Sequence, residues 1–378
     1  MSFDFLHGLA VFGIIPFLIV LTIIVFFHEL GHFLVARSVG VKVLTFSLGF
    51  GPELFGFYDR YGTRWKVSAV PLGGYVKFFG DENAASVPDH EAAAAMSEAE
   101  RRVSFVHKGV GARSAVVVAG PIANFILSVL LFAAIFISAG RPIVPARIDE
   151  VVSDSAAAAA GLQAGDLVVA IDGRPVSGFT DMQRIVAGSA GRMLTLTIDR
   201  GGARQDIKAT PTATTFCNAV LGIKKTHADE VSFQTERPDA ALALGVRETY
   251  FVVERSLCFV AGVFVGRESA SQLGGPIGIA KAAGDAWTTG LDSGGLGAAI
   301  AQLVYLSAFL SASIGLLNLF PIPLLDGGHL LFYAIELVRG RPLSERAQEF
   351  GFRIGLAIVV VLMLFATKND ILARLGIG

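Results

Sequence analysis

The stretch FFHELGHF, residues 26–33, decides how the rest of the chain reads. It closes an uncharged run that begins at Gly8. Bilayer hydrocarbon tolerates two histidines and a glutamate poorly, so their presence at the end of such a run demands a reason. On a helix, positions i and i+4 share a face. His28 and His32 can therefore turn both imidazoles onto one zinc ion, and Glu29 between them stands beside the metal as a general base. The plainer alternative is a polar cluster solvated at a helix end.

Composition agrees with a membrane setting. Hydrophobic residues make up 53% of the 378 and charged residues 17%, too apolar a balance for an ordinary soluble enzyme. The formal net charge of -1 offers no basic field, so no nucleic-acid partner is expected. Cys217 and Cys258 form no metal pattern and no disulfide framework, and read as two packed thiols.

Four apolar runs read as spans: 8–27, 114–139, 298–325 and a shorter one at 354–367. About 20 helical residues cross a hydrocarbon core of roughly 30 Å. The first run lacks a basic leader and a small-x-small cleavage site, and is expected to be retained. Lys and Arg concentrate in the loops at 37–113 and 326–353, which places both in the cytoplasm. The N- and C-termini and the segment 141–296 then fall on the outer, periplasmic side of a bacterial inner membrane.

The loops have distinct characters. Residues 42–80 alternate apolar positions with Gly and Asp turns, the pattern of β-hairpins, while 81–108 are polar and Ala/Glu-rich, a surface helix or linker. In the outer segment, AAAAAGLQAGDLVVAIDGRPV (156–176) resembles a PDZ domain, present in one copy. The stretch 241–266 has an amphipathic look suited to a membrane surface or to packing beside the spans. The expected fold is thus a multi-span α-helical membrane protein with about four transmembrane helices. It carries a membrane-associated β-hairpin region and one inserted α+β PDZ-like domain.

Catalytic zinc takes three protein ligands and leaves a position open. The third run ends NLFPIPLLDGGH, residues 318–329, and Asp326 closes it on the same cytoplasmic side as His28. Pro321 and Pro323 should unwind the helix before Asp326, which is acceptable at membrane depth where backbone lines a protein cavity. Asp326 is the preferred third ligand and His329 a lesser candidate. A non-catalytic scaffold and a transporter are the rival readings. The scaffold requires no HExxH paired with a depth-matched aspartate, and the chain shows none of the inverted repeats that mark many transporters.

HELGH at 28–32, AGPIANF at 119–125, VPLGGYVKFFGD at 70–81, QLGGPIGIA at 272–280 and NLFPIPLLDGGH, in this order, resemble the site-2 proteases. These are intramembrane zinc metalloproteases, peptidase family M50, and the likeness is greatest to the bacterial regulator of sigma-E branch. The resemblance covers nearly the whole chain and implies zinc ligands His28, His32 and Asp326, with Glu29 as general base and later proton donor. It implies substrate-backbone or oxyanion roles for Asn124 and Asn318, each with inter-helix hydrogen bonding as the plain alternative. It also implies a substrate-contacting strand around Gly73, Gly74 and Tyr75. Implied substrates are single-span membrane proteins pre-trimmed by another protease, such as an anti-sigma factor, or remnant signal peptides. Tandem PDZ domains are usual in that branch, and this chain shows one, which puts substrate screening in question. The chain then divides into a first span with HExxH (1–37), a cytoplasmic loop with hairpins (38–110), a second span (111–140) and a periplasmic PDZ-like domain (141–215). A segment with an amphipathic helix (216–296), a third span with LDG (297–328) and a cytoplasmic loop with a fourth span (329–378) complete it.

Overall fold

The computed structural model describes residues 13–81, 95–215, 218–225 and 231–375. Helix α1 (Ile14–Ser38) leads into two long strands, β1 (Val43–Tyr58) and β2 (Arg64–Phe78), joined by a tight turn at 59–63. Short α2 (Glu98–Val103) begins at a capping box in which Ser97 and Glu100 satisfy each other's backbone N–H. The rest of the 81–108 stretch lies largely outside the described residues. Helix α3 (Val110–Ser138) follows.

The two strands are more folded than a simple hairpin. Residues 45–48 register with 64–67 and also with 74–77, so the ribbon doubles back on itself. Its inner half is buried around Phe46, Val76 and Phe78, with Phe46 stacked 4.3 Å from Trp65. Its far half exposes Leu54, Phe55, Phe57 and Tyr58.

The chain divides into two units. The second covers Ala134–Ala241 and Val253–Ala270. It contains β3 (Arg141–Ile143), β4 (Glu150–Val151), α4 (Ala156–Ala159), β5 (Leu167–Ile171), β6 (Arg174–Pro175), α5 (Phe179–Ala187), β7 (Leu194–Arg200) and β8 (Ala203–Ala209). Strands β9 (Thr212–Thr215), β10 (Asn218–Val220), β11 (Ile223–Lys224) and β12 (Ser232–Gln234) complete it. A four-stranded antiparallel sheet runs β6-β5-β7-β8. Along β7, Leu194, Leu196 and Ile198 are fully buried while Thr195 and Thr197 turn outward, the two-residue period of a strand with one buried face. Met182 of α5 packs into the same core. Buried Asp166 takes a two-pronged pair from Arg200, both contacts at 2.7 Å. Strand β11 returns to pair with β4, so the unit extends past residue 215.

The reading of Cys258 as a packed thiol fails. Cys258 is disulfide-bonded, and Cys217 lies outside the described residues. Two cysteines 41 positions apart carry no spacing signal that separates a bridge from two thiols.

Helix α6 (Pro238–Phe264) is followed by α7 (Pro276–Asn318), α8 (Asp326–Arg339) and α9 (Glu345–Arg374). Among the described residues, four helices, α1, α3, α7 and α9, are long and apolar enough to cross a membrane, which fits a multi-pass membrane protein. At 43 residues α7 is far longer than a bilayer requires. It is in fact two limbs, because Gly294 and Gly295 leave helical geometry. A Cβ added to Gly290 would lie 2.3 Å from Ala299 Cα, whereas nine residues of straight helix would separate them by about 13 Å. The limbs 276–293 and 296–318 therefore fold back on each other. The first limb lies against the start of α1, where a Cβ on Gly13 would meet Ala280 O at 2.1 Å. Its own N-terminus is capped by Asp370 of α9, which accepts N–H bonds from Gly275 and Gly278 at 3.0 and 2.8 Å.

Candidate active site

Helix α1 carries His28, Glu29 and His32 in its C-terminal half. The two imidazoles face the same way, with their Nε2 atoms 3.2 Å apart. Opposite stands Asp326, the first residue of α8. Its Oδ2 is 3.2 Å from His28 Nε2, and its Oδ1 is 3.6 Å from His32 Nε2. One ligand atom from each of the three lies within 4.8 Å of the others.

Asp326 reaches this place because the chain breaks before it. Helix α7 ends at Asn318, and 319–325 are non-helical, as Pro321 and Pro323 led the sequence to predict. Leu324 adopts φ 104°, a conformation that a leucine rarely takes and that is sustained only by its surroundings. The following Gly327 and Gly328 let this loop press onto the first turn of α8. An added Cβ would sit 2.2 Å from Phe320 O at Gly327 and 2.4 Å from Ile322 O at Gly328. The loop and the aspartate are thus one folded piece.

Helix α3 backs the site. Val116, Gly120 and Asn124 recur every four residues and so share a face. His32 Nδ1 is 2.9 Å from Val116 O. A carbonyl only accepts, so His32 carries its proton on Nδ1 and turns a bare Nε2 lone pair inward. Gly120 makes room for both rings, since a Cβ there would lie 2.3 Å from His32 Nε2 and 2.8 Å from His28 Cε1.

These donors suit zinc. Two imidazoles and one carboxylate are the make-up of a three-ligand catalytic site with an open position. Asp326 Oδ2 is buried and accepts no aligned hydrogen bond, and a cation among the three side chains would satisfy it. Beside them lies a cavity of about 210 Å³. Glu29, Asn318, Gly74, Tyr75 and His329 are among its lining residues. Strand β2 passes close to the glutamate, and the Val76 N–H donates to the Glu29 carboxylate. A Cβ on Gly74 would come within 3.2 Å of Glu29 Cγ. Asn318 Nδ2 is 3.5 Å from His28 Nε2, at the cavity wall. Gly73 is not among the lining residues, and neither is Asn124, which is wholly buried behind His28.

Sequence reading passed over Val116 and Gly120. A backbone carbonyl leaves no trace in residue type, and a glycine in an apolar helix is an ordinary packing residue until the ring that fills its space is known.

Comparison with known proteins points the same way. The model of peptidase family M50 matches residues 16–362. A protein of Agrobacterium fabrum named as a zinc metalloprotease is 47% identical over 372 residues, covering 96% of each chain. A zinc metalloprotease by name of Mesorhizobium japonicum is 45% identical over 368 residues, covering 95% of this chain and 98% of that one. The metalloprotease MmpA of Caulobacter vibrioides is 38% identical over 382 residues, covering 95% of each.

Proposed function

The chain belongs to peptidase family M50 and is a zinc metalloprotease, and from that premise we propose that it cuts peptide bonds within or next to the transmembrane segments of single-span membrane proteins. The observation that carries the proposal is the meeting of His28, His32 and Asp326 beside Glu29, on helices and a loop of a membrane-spanning unit. His28, His32 and Asp326 hold the zinc. When bound there, zinc polarises the scissile carbonyl and makes water a stronger acid. Glu29 takes the proton of the attacking water and passes it to the leaving amine. The cavity beside these residues gives the attacking water a way in.

A substrate helix hides its carbonyls in its own hydrogen bonds, so it must unwind before cleavage. Gly74 and Tyr75 of β2 line the cavity beside Glu29 and offer backbone groups to an extended segment. Asn318 at the cavity wall supports the carbonyl under attack. The exposed apolar far half of the β1–β2 ribbon, around Leu54, Phe55 and Phe57, sits in the membrane interface.

The second unit, a PDZ-like domain on this reading, screens substrates by size and admits those already trimmed by another protease. It occupies the periplasm of a bacterium and the spans its inner membrane. The Lys/Arg-rich loops at 37–113 and 326–353 support that orientation. Substrates of this class include anti-sigma factors and remnant signal peptides.

The test uses purified full-length protein and a model single-span substrate in detergent or liposomes. Wild type should carry bound zinc and cleave, and Glu29→Gln should keep the zinc and lose cleavage. Zinc-free wild type, or equal cleavage by the variant, would overturn the assignment.

A further inference from the structure

We propose that Asn124 is a positioning residue: its side-chain oxygen accepts the Nδ1 proton of His28 and so holds the His28 Nε2 lone pair open for zinc. The inference rests on the ligand assignment above and gives Asn124 a task away from substrate.

Two observations meet at this side chain. Asn124 is fully buried, and its amide nitrogen lies 3.3 Å from His28 Nδ1. Its Oδ1 is also buried and has no hydrogen-bond partner. With the nitrogen facing Nδ1, the amide would donate, and His28 would have to carry its own proton on Nε2. That atom points at His32 Nε2 and Asp326 Oδ2, both at 3.2 Å, so a proton there closes the site to a metal. A half-turn of the amide exchanges its oxygen and nitrogen, two groups of nearly equal size, without moving a carbon. The orphan oxygen then receives the His28 N–H, and Nε2 is left bare.

His32 already follows this logic. Histidines that bind metals almost always donate their other ring N–H to a group that accepts, and Val116 O does this for His32 at 2.9 Å. Asn124, two turns further along the same face of α3, is the matching acceptor for His28. Gly120 lies between them and gives both rings clearance.

The amide is well fixed for the role. Ser311 Oγ, on the second limb of α7, donates to the Asn124 backbone carbonyl at 2.8 Å and is itself fully buried. Gly315, one turn later, brings that limb so close that a Cβ there would be 3.1 Å from Asn124 Cβ. Because Asn124 does not line the cavity, its effect on the reaction passes through His28.

The test measures zinc directly. Purified full-length wild type, Asn124→Leu and Asn124→Asp are titrated against a chelator, and each is loaded with cobalt(II) to read the ligand field by absorption. Asn124→Leu removes the acceptor and should weaken zinc binding by about 10–100-fold, with an altered cobalt spectrum. Asn124→Asp keeps the acceptor and should stay within about threefold of wild type with the wild-type spectrum. If Asn124 merely joined helices, a carboxylate buried there would do at least as much damage as leucine. Leucine that leaves affinity unchanged, or aspartate that loses as much as leucine, overturns the proposal. Should the leucine variant fail to fold, a tenfold or greater loss in Asn124→Asp overturns it alone. Wild type without zinc would instead strike the ligand assignment itself, so the two failures are distinct.

Discussion

The two sides of the metal site are built in opposite ways. His28 and His32 stand on an unbroken helix, where a spacing of four residues is enough to aim both rings. Asp326 stands after seven non-helical residues that include two prolines and a leucine at φ 104°. The first side is set locally, by spacing along one helix. The second is assembled, and each backbone contact of the loop helps to fix the carboxylate.

The sharpest break is on the regular side and concerns chemistry alone. Glu29→Gln should reduce cleavage by about 10²–10⁴-fold, the usual loss when a general base goes, while zinc and fold persist. Rates on a single-span substrate and metal analysis of the same sample would check both halves.

Gly328→Ala probes the assembled side. The added Cβ would lie 2.4 Å from Ile322 O and 2.5 Å from Pro323 Cα, both backbone atoms, so the loop must shift. A shift of about 1 Å in a catalytic group costs on the order of 10²-fold. Cleavage should fall by about that factor, and zinc should dissociate faster. Leu30→Ala, between the zinc-facing histidines, should cost far less in zinc retention. Equal losses from the two would erase the distinction between local and assembled ligands.

Gly74→Ala should have a smaller effect. Its Cβ would meet Val25 Cγ1 and Ser47 O at 2.8 Å and crowd Glu29 Cγ at 3.2 Å. Cleavage should drop about tenfold with zinc unchanged, because β2 and the base move while the ligands stay. Loss of zinc would mean that the ribbon supports the ligands as well.

The smallest effect lies outside the candidate spans, at the 59–63 turn. Burial pushes the Asp59 carboxyl up, but N–H donors from Thr63 and Tyr61, the Trp65 indole and Arg37 outweigh it and hold its pKa at about 2. That lies below the ordinary value of about 3.9, so the turn gains stability above about pH 4 and loses it as pH falls through about 2. Trp65 fluorescence should change across that window, and Asp59→Asn should remove the transition.

How much of this could be read beforehand follows the same division. HELGH announces itself because its meaning is carried by spacing along one helix. Asp326 was reachable through charge counts that set the depth of two distant runs. The Val116–Gly120–Asn124 face was not, since it depends on how α3 lies against α1, which no periodicity in either segment records. The fold-back of α7 was hidden for a related reason. Its first limb holds Lys281, Asp285 and Asp292, so it resembles a loop until its packing against α1 is seen. The doubling of the β1–β2 ribbon depends on pairings that residue alternation fits equally well in a plain hairpin.

Helix α9 shows what the cap on that first limb entails mechanically. Few residues of its apolar stretch are buried, so its flank contributes little adhesion. It is fastened about a third of the way along and again near its C-terminal end. Gly355 presses onto Pro323 of the aspartate loop, and Asp370 grips the start of the 276–293 limb. A rod held at two points and loose between them bows more readily than it detaches. Bending in α9 would be felt first at Pro323, three residues from the carboxylate that completes the metal site.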